Sequence, residues 1–357
     1  MRSKILVLLL FLTHFSGLSQ GSSKYSNEFL NIGVDARSIG MANAVVSSTN
    51  DVNSTYWNPA GLLNIERDEI SLMHSNYFAN IANYNYISYA KKVDNQSAIG
   101  FSLIRFGVDD IMDTTQLIDN QGNIDFNRIE LFSAADYAFL FSYAKKNNFL
   151  NLNYGLNIKI IRRIIGDFAN SWGFGFDIGI QHENKSGWKF GLMARDITTT
   201  YNSWSFNQDR LDDIQDAIEG QNQEIPEKSE VTLPKLQLGI SKEFMVNNEY
   251  SLLGAFDLFV LFDETNDIIS SEIISVNPAL GFELGYIDLV YLRFGVGNFQ
   301  NELQYDSSQK LSFQPNFGIG FNMSNIEINY AFTDIGNQSV ALYSNIFSLK
   351  FNLNILR

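Results

Sequence analysis

The chain has 357 residues, with 25 Lys and Arg against 39 Asp and Glu and a net charge of −14. So acidic a chain is repelled by phosphate backbones, which argues against nucleic acid as a partner, and with no Cys it can form neither a disulfide nor a thiolate metal site. Aromatics at 14% beside charged residues at only 18% are unusual for an acidic soluble protein and suit a surface that faces lipid.

Residues 1–19 read as a signal peptide. Arg2 and Lys4 give the positive start, Ile5 to Leu12 the apolar core, and Gly17 and Ser19 the small residues of a cleavage site. Its removal takes the charge from −14 to −16. No later segment approaches the roughly 20 apolar residues of a transmembrane helix.

Residues 20–67 lack strand periodicity and carry many small side chains, among them Gly33, Ala36, Gly40, Ala42 and Ala44. Asp35 can cap a helix starting at Ala36, and Asn53 or Ser54 a second one. The segment ends in Asn58, Pro59, Ala60 and Gly61, where Pro59 withholds a backbone donor and a positive φ at Gly61 would turn the chain sharply into the first strand. This pattern predicts a compact plug of short helices, with Asn58 to Gly61 as its geometric anchor.

From residue 68 to 357 the period is two. Leu152, Tyr154, Leu156, Ile158 and Ile160 alternate with Asn151, Asn153, Gly155, Asn157 and Lys159, and similar rows recur around Phe174 and Phe347. Fourteen strands fit, separated by tight polar turns such as Lys146-Asn147-Asn148 and Asn184-Lys185-Ser186 and by longer stretches at 107–134, 197–232, 263–273, 299–310 and 333–340. Short turns on one side, long loops on the other and an even strand count are marks of an all-β, antiparallel outer-membrane barrel. An open sheet edge is not viable in lipid, so the last strand must pair with the first near Ile70. Tyr84, Tyr86, Tyr89, Tyr137, Tyr143, Trp188, Tyr286 and Tyr291 lie near strand ends, where an interfacial girdle would sit.

Catalytic and cofactor chemistry finds no footing. The two mature histidines, His74 and His182, fall in different strands, and no nucleophile elbow or phosphate loop occurs. The alternating Gly173, Gly175, Gly179, Gly318 and Gly320 lie inside strands with no helix following, so they read as close lumen packing rather than a dinucleotide fingerprint. Acidic residues in loop 107–134 lack the spacing of a calcium loop, and a polar hairpin around Gly122 is expected. Lys159, Asp177, Glu283, Arg293, Glu327 and Lys350 are expected to pair with one another across the lumen. Loop 197–232 has a net charge of −6. Within it Asp209, Asp212, Asp213 and Asp216 accompany Leu211, Ile214 and Ile218, which fall on one helical face and form a candidate partner-binding stripe.

The run Phe29 to Arg37, then Gly40-Met41 and Trp57-Asn58-Pro59-Ala60-Gly61, resembles the PorV/PorQ family, a Bacteroidetes branch of the FadL-like barrels. Its Asn-Pro-Ala-Gly element is shared with FadL transporters generally. Segments Phe190 to Thr198 and Ala341 to Phe347 look most like a shorter PorV paralogue group. The resemblance implies an outer-membrane, non-enzymatic accessory of the type IX secretion system without cofactor, contacting the translocon barrel, the C-terminal domains of secreted cargo, or both. The alternative it leaves open is a FadL-type channel for hydrophobic small molecules. Such a channel calls for an apolar pocket between plug and wall and a lateral opening in the strand after 83–92.

Overall fold

The computed structural model describes residues 26–78, 80–118, 121–149, 151–211, 228–304, 308–333 and 344–353. The expected signal segment 1–19 lies outside them, as do Asp212, Asp213, Ile214, Asp216 and Ile218. Alternating rows turn their apolar side outward: Leu156 and Ile158 are exposed, while Gly155, Asn157 and Lys159 between them are buried. A soluble sandwich would do the opposite. Lipid as the outer solvent accounts for this inversion.

The strands in chain order are β1 (Asp68–Tyr77), β2 (Ala82–Lys92), β3 (Ser97–Asp113), β4 (Glu130–Asn147), β5 (Leu152–Ile165), β6 (Ala169–Glu183), β7 (Trp188–Arg195), β8 (Thr200–Phe206) and β9 (Ser229–Thr232). There follow β10 (Lys235–Met245), β11 (Tyr250–Leu261), β12 (Ile269–Ser270), β13 (Ser275–Tyr286), β14 (Val290–Leu303), β15 (Gln309–Met323), β16 (Ile326–Thr333) and β17 (Ser344–Leu353). β8 takes over from β7 along the far half of β6 and pairs with β9, and β12 is a two-residue addition to β13. The other fourteen form one closed antiparallel barrel. β17 closes it on β1 from Asp68↔Leu353 to Asn76↔Asn345, with Ile70 opposite Phe351, as the hydrocarbon boundary requires.

Three expectations change. Loop 107–134 is largely strand: β3 and β4 stay paired past a bulge between Val108 and Ile111, out to Asp113↔Glu130, and Gly122 near the tip has φ +84°. β14 and β15 likewise pair as far as Leu303↔Gln309 past a bulge between Gly297 and Gln300. A bulge shifts the side-chain phase by a residue, and period-two reading stops there. The sorting of loops holds at one end only, because 78–81 and 166–168 are tight connections on the long-loop side. Third, Tyr84 and Tyr86 are buried and face inward, whereas Tyr143, Trp188 and Tyr286 are exposed, as girdle residues are. A tyrosine on the inward row of a strand seals the lumen, wherever along the strand it falls.

The all-tight turns mark the end expected to face the periplasm. A single Cys placed at Asn123 should therefore react with an impermeant maleimide on intact cells, and one at Ser186 only after the outer membrane is opened. Equal labelling at both would overturn that orientation.

Candidate functional site

Residues 26–65 run through the barrel interior as short turns: a 3-10 turn at Glu28–Asn31, helical turns at Ala36–Gly40 and Ser54–Trp57, and a 3-10 helix at Pro59–Asn64. Val34, Ala36, Met41, Ala44, Val46, Val52, Ala60 and Leu62 have no exposed surface. Short turns leave many backbone groups without partners, and in a sealed interior each must be met. Wall side chains meet them. Gln181 donates to the carbonyls of Val46 at 3.1 Å and Thr49 at 2.9 Å, Asn157 donates to Thr55 O at 2.9 Å, and Gln237 to Asn43 O at 3.2 Å. In the other direction Val46 N–H donates to Asp257 at 3.0 Å and Val52 N–H to Glu69 at 2.8 Å.

The Asn58–Gly61 element sits on a track of wall glycines. A Cβ on Gly179 would stand 2.1 Å from Asn58 Oδ1, one on Gly155 2.6 Å from Ala60 N, and one on Gly191 2.4 Å from Val46 O. Only hydrogen atoms fit there, which explains the inward glycines at these positions. Asn58 is fully buried; its Nδ2 lies 3.0 Å from Val46 O, 3.1 Å from Ile180 O and 3.3 Å from Leu192 O. Its Oδ1 accepts from Ala60 N at 3.2 Å and so caps the 3-10 helix, with Pro59 in the first position, where no donor is needed. Gly61 does not have a positive φ. It is required for closeness instead, since a Cβ would stand 2.4 Å from Thr49 O. The expected side-chain caps are also absent. Asp35 accepts from Ser348 Oγ at 2.8 Å, and Asn53 makes no cap bond. Burial pushes the Asp35 carboxyl above the ordinary range, and neighbouring Asp51 adds to this.

The lumen charges pair as expected, and two residues outside the strands complete the pattern. Arg37 holds Glu283 bidentately at 2.8 and 2.9 Å, and Glu283 meets Arg293 at 2.5 Å. Arg293 reaches Glu327 at 3.6 Å, Glu327 meets Lys350 at 2.6 Å, and Lys350 meets Asp51 at 2.8 Å. Charge alternates along all six groups, and both ends belong to the N-terminal segment. For Arg37, burial alone would favour loss of the proton, but Glu283 outweighs it and holds the guanidinium more firmly charged than in water. A second cluster joins Lys159 to Asp177 at 2.8 Å and to Asp196.

Of the acidic stripe, Asp209 and Leu211 are described. They flank Arg210, which reaches Asp113 at 2.9 Å and Asp167 at 3.1 Å and stacks on Phe168, tying the start of this loop to two neighbouring connections. His74 and His182 lie apart, each bonded locally, to Asn85 and to Asn151 O respectively. Above the N-terminal segment, toward the long-loop end, lies a cavity of about 500 Å³, walled by β10, β11, β13, β14 and β15 and floored in part by Ile32, Ile39, Ala42 and Trp57. β3, by contrast, is paired to β2 from Asn83↔Gly107 to Lys92↔Ala98 and to β4 from Ser97↔Lys145 to Val108↔Ala134, and after a bulge pairs with β4 again from Ile111↔Phe132.

This architecture has solved counterparts. The Pseudomonas putida toluene transporter TodX aligns at a TM-score of 0.57 and 13% identity over 94% of this chain and 100% of its own. The CymD monoaromatic hydrocarbon channel aligns at 0.55 and 10% over 90% and 98%. A Pseudomonas aeruginosa FadL homologue aligns at 0.51 and 11% over 93% and 100%. The class is thus a closed antiparallel β-barrel of FadL-like architecture. Residues 21–187 match the family model for type IX secretion system protein PorV. The match contains the Phe29–Arg37 and Trp57–Gly61 blocks; segments 190–198 and 341–347, which suggested a paralogue group, fall outside it. No curated protein matches the chain.

Gly61→Val should misplace the 3-10 helix and cost about 1–3 kcal/mol, as overpacking does, lowering the yield of heat-modifiable folded barrel. Gly254→Ala, whose Cβ would meet only Phe282 at 3.9 Å, should fold normally. Equal yields from the two would remove the close-packing role assigned to Gly61.

Proposed function

We propose that this barrel is a non-enzymatic accessory of type IX secretion that works by holding other proteins, the translocon barrel or cargo domains, with residues 20–67 serving as a permanent plug and 68–357 as the wall. The observation that carries this reading is on the lipid face. On the outward row other wall strands present Phe141, Ile158, Phe176, Phe256, Leu280, Phe317 and Phe347, but adjacent β1 and β2 present His74 and Asn85, opposite each other and bonded at 2.7 Å, with Arg105 of β3 opposite Asn85. A hydrogen-bonding side chain in hydrocarbon is costly unless partnered. The second ring nitrogen and the Asn85 amide suit a neighbouring protein wall rather than acyl chains. The acidic stripe of Asp209, Leu211, Asp212, Asp213, Ile214, Asp216 and Ile218 would add steering contacts at the outer rim, where charge chiefly speeds encounter.

A second reading, a channel for hydrophobic small molecules, has the cavity in its favour. Against it stands a lumen occupied by bonded backbone.

Isolation from native membranes in mild detergent should recover the type IX translocon barrel with the wild-type protein. His74→Leu with Asn85→Leu should reduce that recovery several-fold while leaving heat-modifiability intact, and Asp212, Asp213 and Asp216→Asn should slow association and flatten its salt dependence. No translocon with the wild type, together with loss of hydrophobic solute uptake on deletion, would favour the channel.

A further inference from the structure

The interior cations Arg37, Lys159, Arg163, Lys235, Arg293 and Lys350 each meet a carboxylate. Arg195 does not. At the end of β7, following inward-facing Gly191 and Met193, its guanidinium lies over the Tyr56 ring at 4.5 Å and 5.9 Å from the Trp57 ring, on the lining of the 500 Å³ cavity. No carboxylate among the described residues pairs with it. Contact with aromatic rings takes up none of its N–H donors, so the fork remains available on the cavity lining. Around the same space stand the carboxamides Asn298, Gln300, Gln314 and Asn316 beside apolar Leu30, Ile32, Leu236 and Phe259, and the rim is open at exposed Asn31 and Asn298.

We propose that this cavity binds the carboxylate of a polar organic molecule, with Arg195 pairing to the carboxylate and the amides bonding its body. A planar fork matches a carboxylate bidentately. A doubly charged phosphate would call for a second unpaired cation, but Lys235 is already engaged by Glu28 and the lining also carries Asp267. A wholly hydrocarbon body would meet the apolar liners but leave the remaining hydrogen-bonding groups of the carboxamides unmet, so the ligand's body carries polar groups as well. The end of a peptide chain and an acidic sugar both have the required chemistry. The inference does not rest on the secretion reading.

Titration calorimetry on the intact protein in detergent tests it with two matched pairs: a blocked tetrapeptide with a free terminal carboxylate against its amide, and glucuronate against glucose. In at least one pair the carboxylate should bind about tenfold tighter or more, the scale of one charge-assisted bidentate contact, and the pair that does so identifies the source. Arg195→Gln should abolish the preference with heat-modifiability unchanged, and Arg195→Lys, which keeps the charge, should retain part of it. The proposal is overturned if the native protein binds neither carboxylate, if both pairs bind equally, or if the preference survives in Arg195→Gln. Its complete loss in Arg195→Lys as well would assign the effect to packing on Tyr56 and overturn it too.

Discussion

Hydrocarbon outside the wall leaves polar groups only one direction in which to be satisfied, and that direction is inward. Fourteen strands with an apolar outer row therefore enclose a space lined by Asn, Gln, Ser and charge. Such a space is either filled with water or matched by protein. Here residues 26–65 supply the match. Their turns present free N–H and C=O groups where the wall presents Gln181, Asn157, Gln237, Asp257 and Glu69, so each side answers the other's unmet bonds. The six alternating charges from Arg37 to Asp51 fasten both ends of the arrangement to β13, β14, β16 and β17. Removing one member would strand a buried charge, a loss of about 3–5 kcal/mol in comparable buried pairs.

Close approach makes this bonding possible. The glycine positions on β5 and β6 let the Asn58–Ala60 element lie directly on the wall, and the one on β7 does the same for the Val46 backbone, where any side chain would hold it off. The cavity opens toward β10–β15, with Arg195 at the end of β7 on its lining. The N-terminal backbone thus lies close against β5–β7 and against β13–β15, and the chamber opens beside it, lined by apolar side chains and carboxamides. A barrel filled in this way is suited to presenting surfaces, and to taking a polar ligand from outside, more than to passing an apolar one through.

Much of this was legible from sequence because lipid imposes a two-residue period and closure imposes a partner for the last strand. The lumen glycines were legible too, since strand glycines with no following helix have few other uses. The bulges were not, because Asp109, Asp110 and the Gly297–Gln300 stretch break the period without announcing a strand beyond them. Arg37 and Asp51 gave no signal either: Lys159, Arg293 and Lys350 already balance Asp177, Glu283 and Glu327, so nothing in the wall's own charge called for two more groups. Gly61 was assigned to a turn when its role is contact, a distinction that needs Thr49 in view. Arg195 could be seen as inward from the phase of Gly191 and Met193, but the want of a carboxylate beside it is visible only in three dimensions.

The account turns on the N-terminal segment lying in the lumen against β14. Since the chain has no Cys, an engineered pair reports this cleanly. A Cβ on Gly297 would lie 3.4 Å from that of Ala42, close to the separation a disulfide spans. Ala42→Cys with Gly297→Cys should cross-link on mild oxidation of the membrane-embedded protein, giving a species of altered mobility on a non-reducing gel. Two free, maleimide-reactive thiols in a barrel that remains folded and heat-modifiable would contradict it.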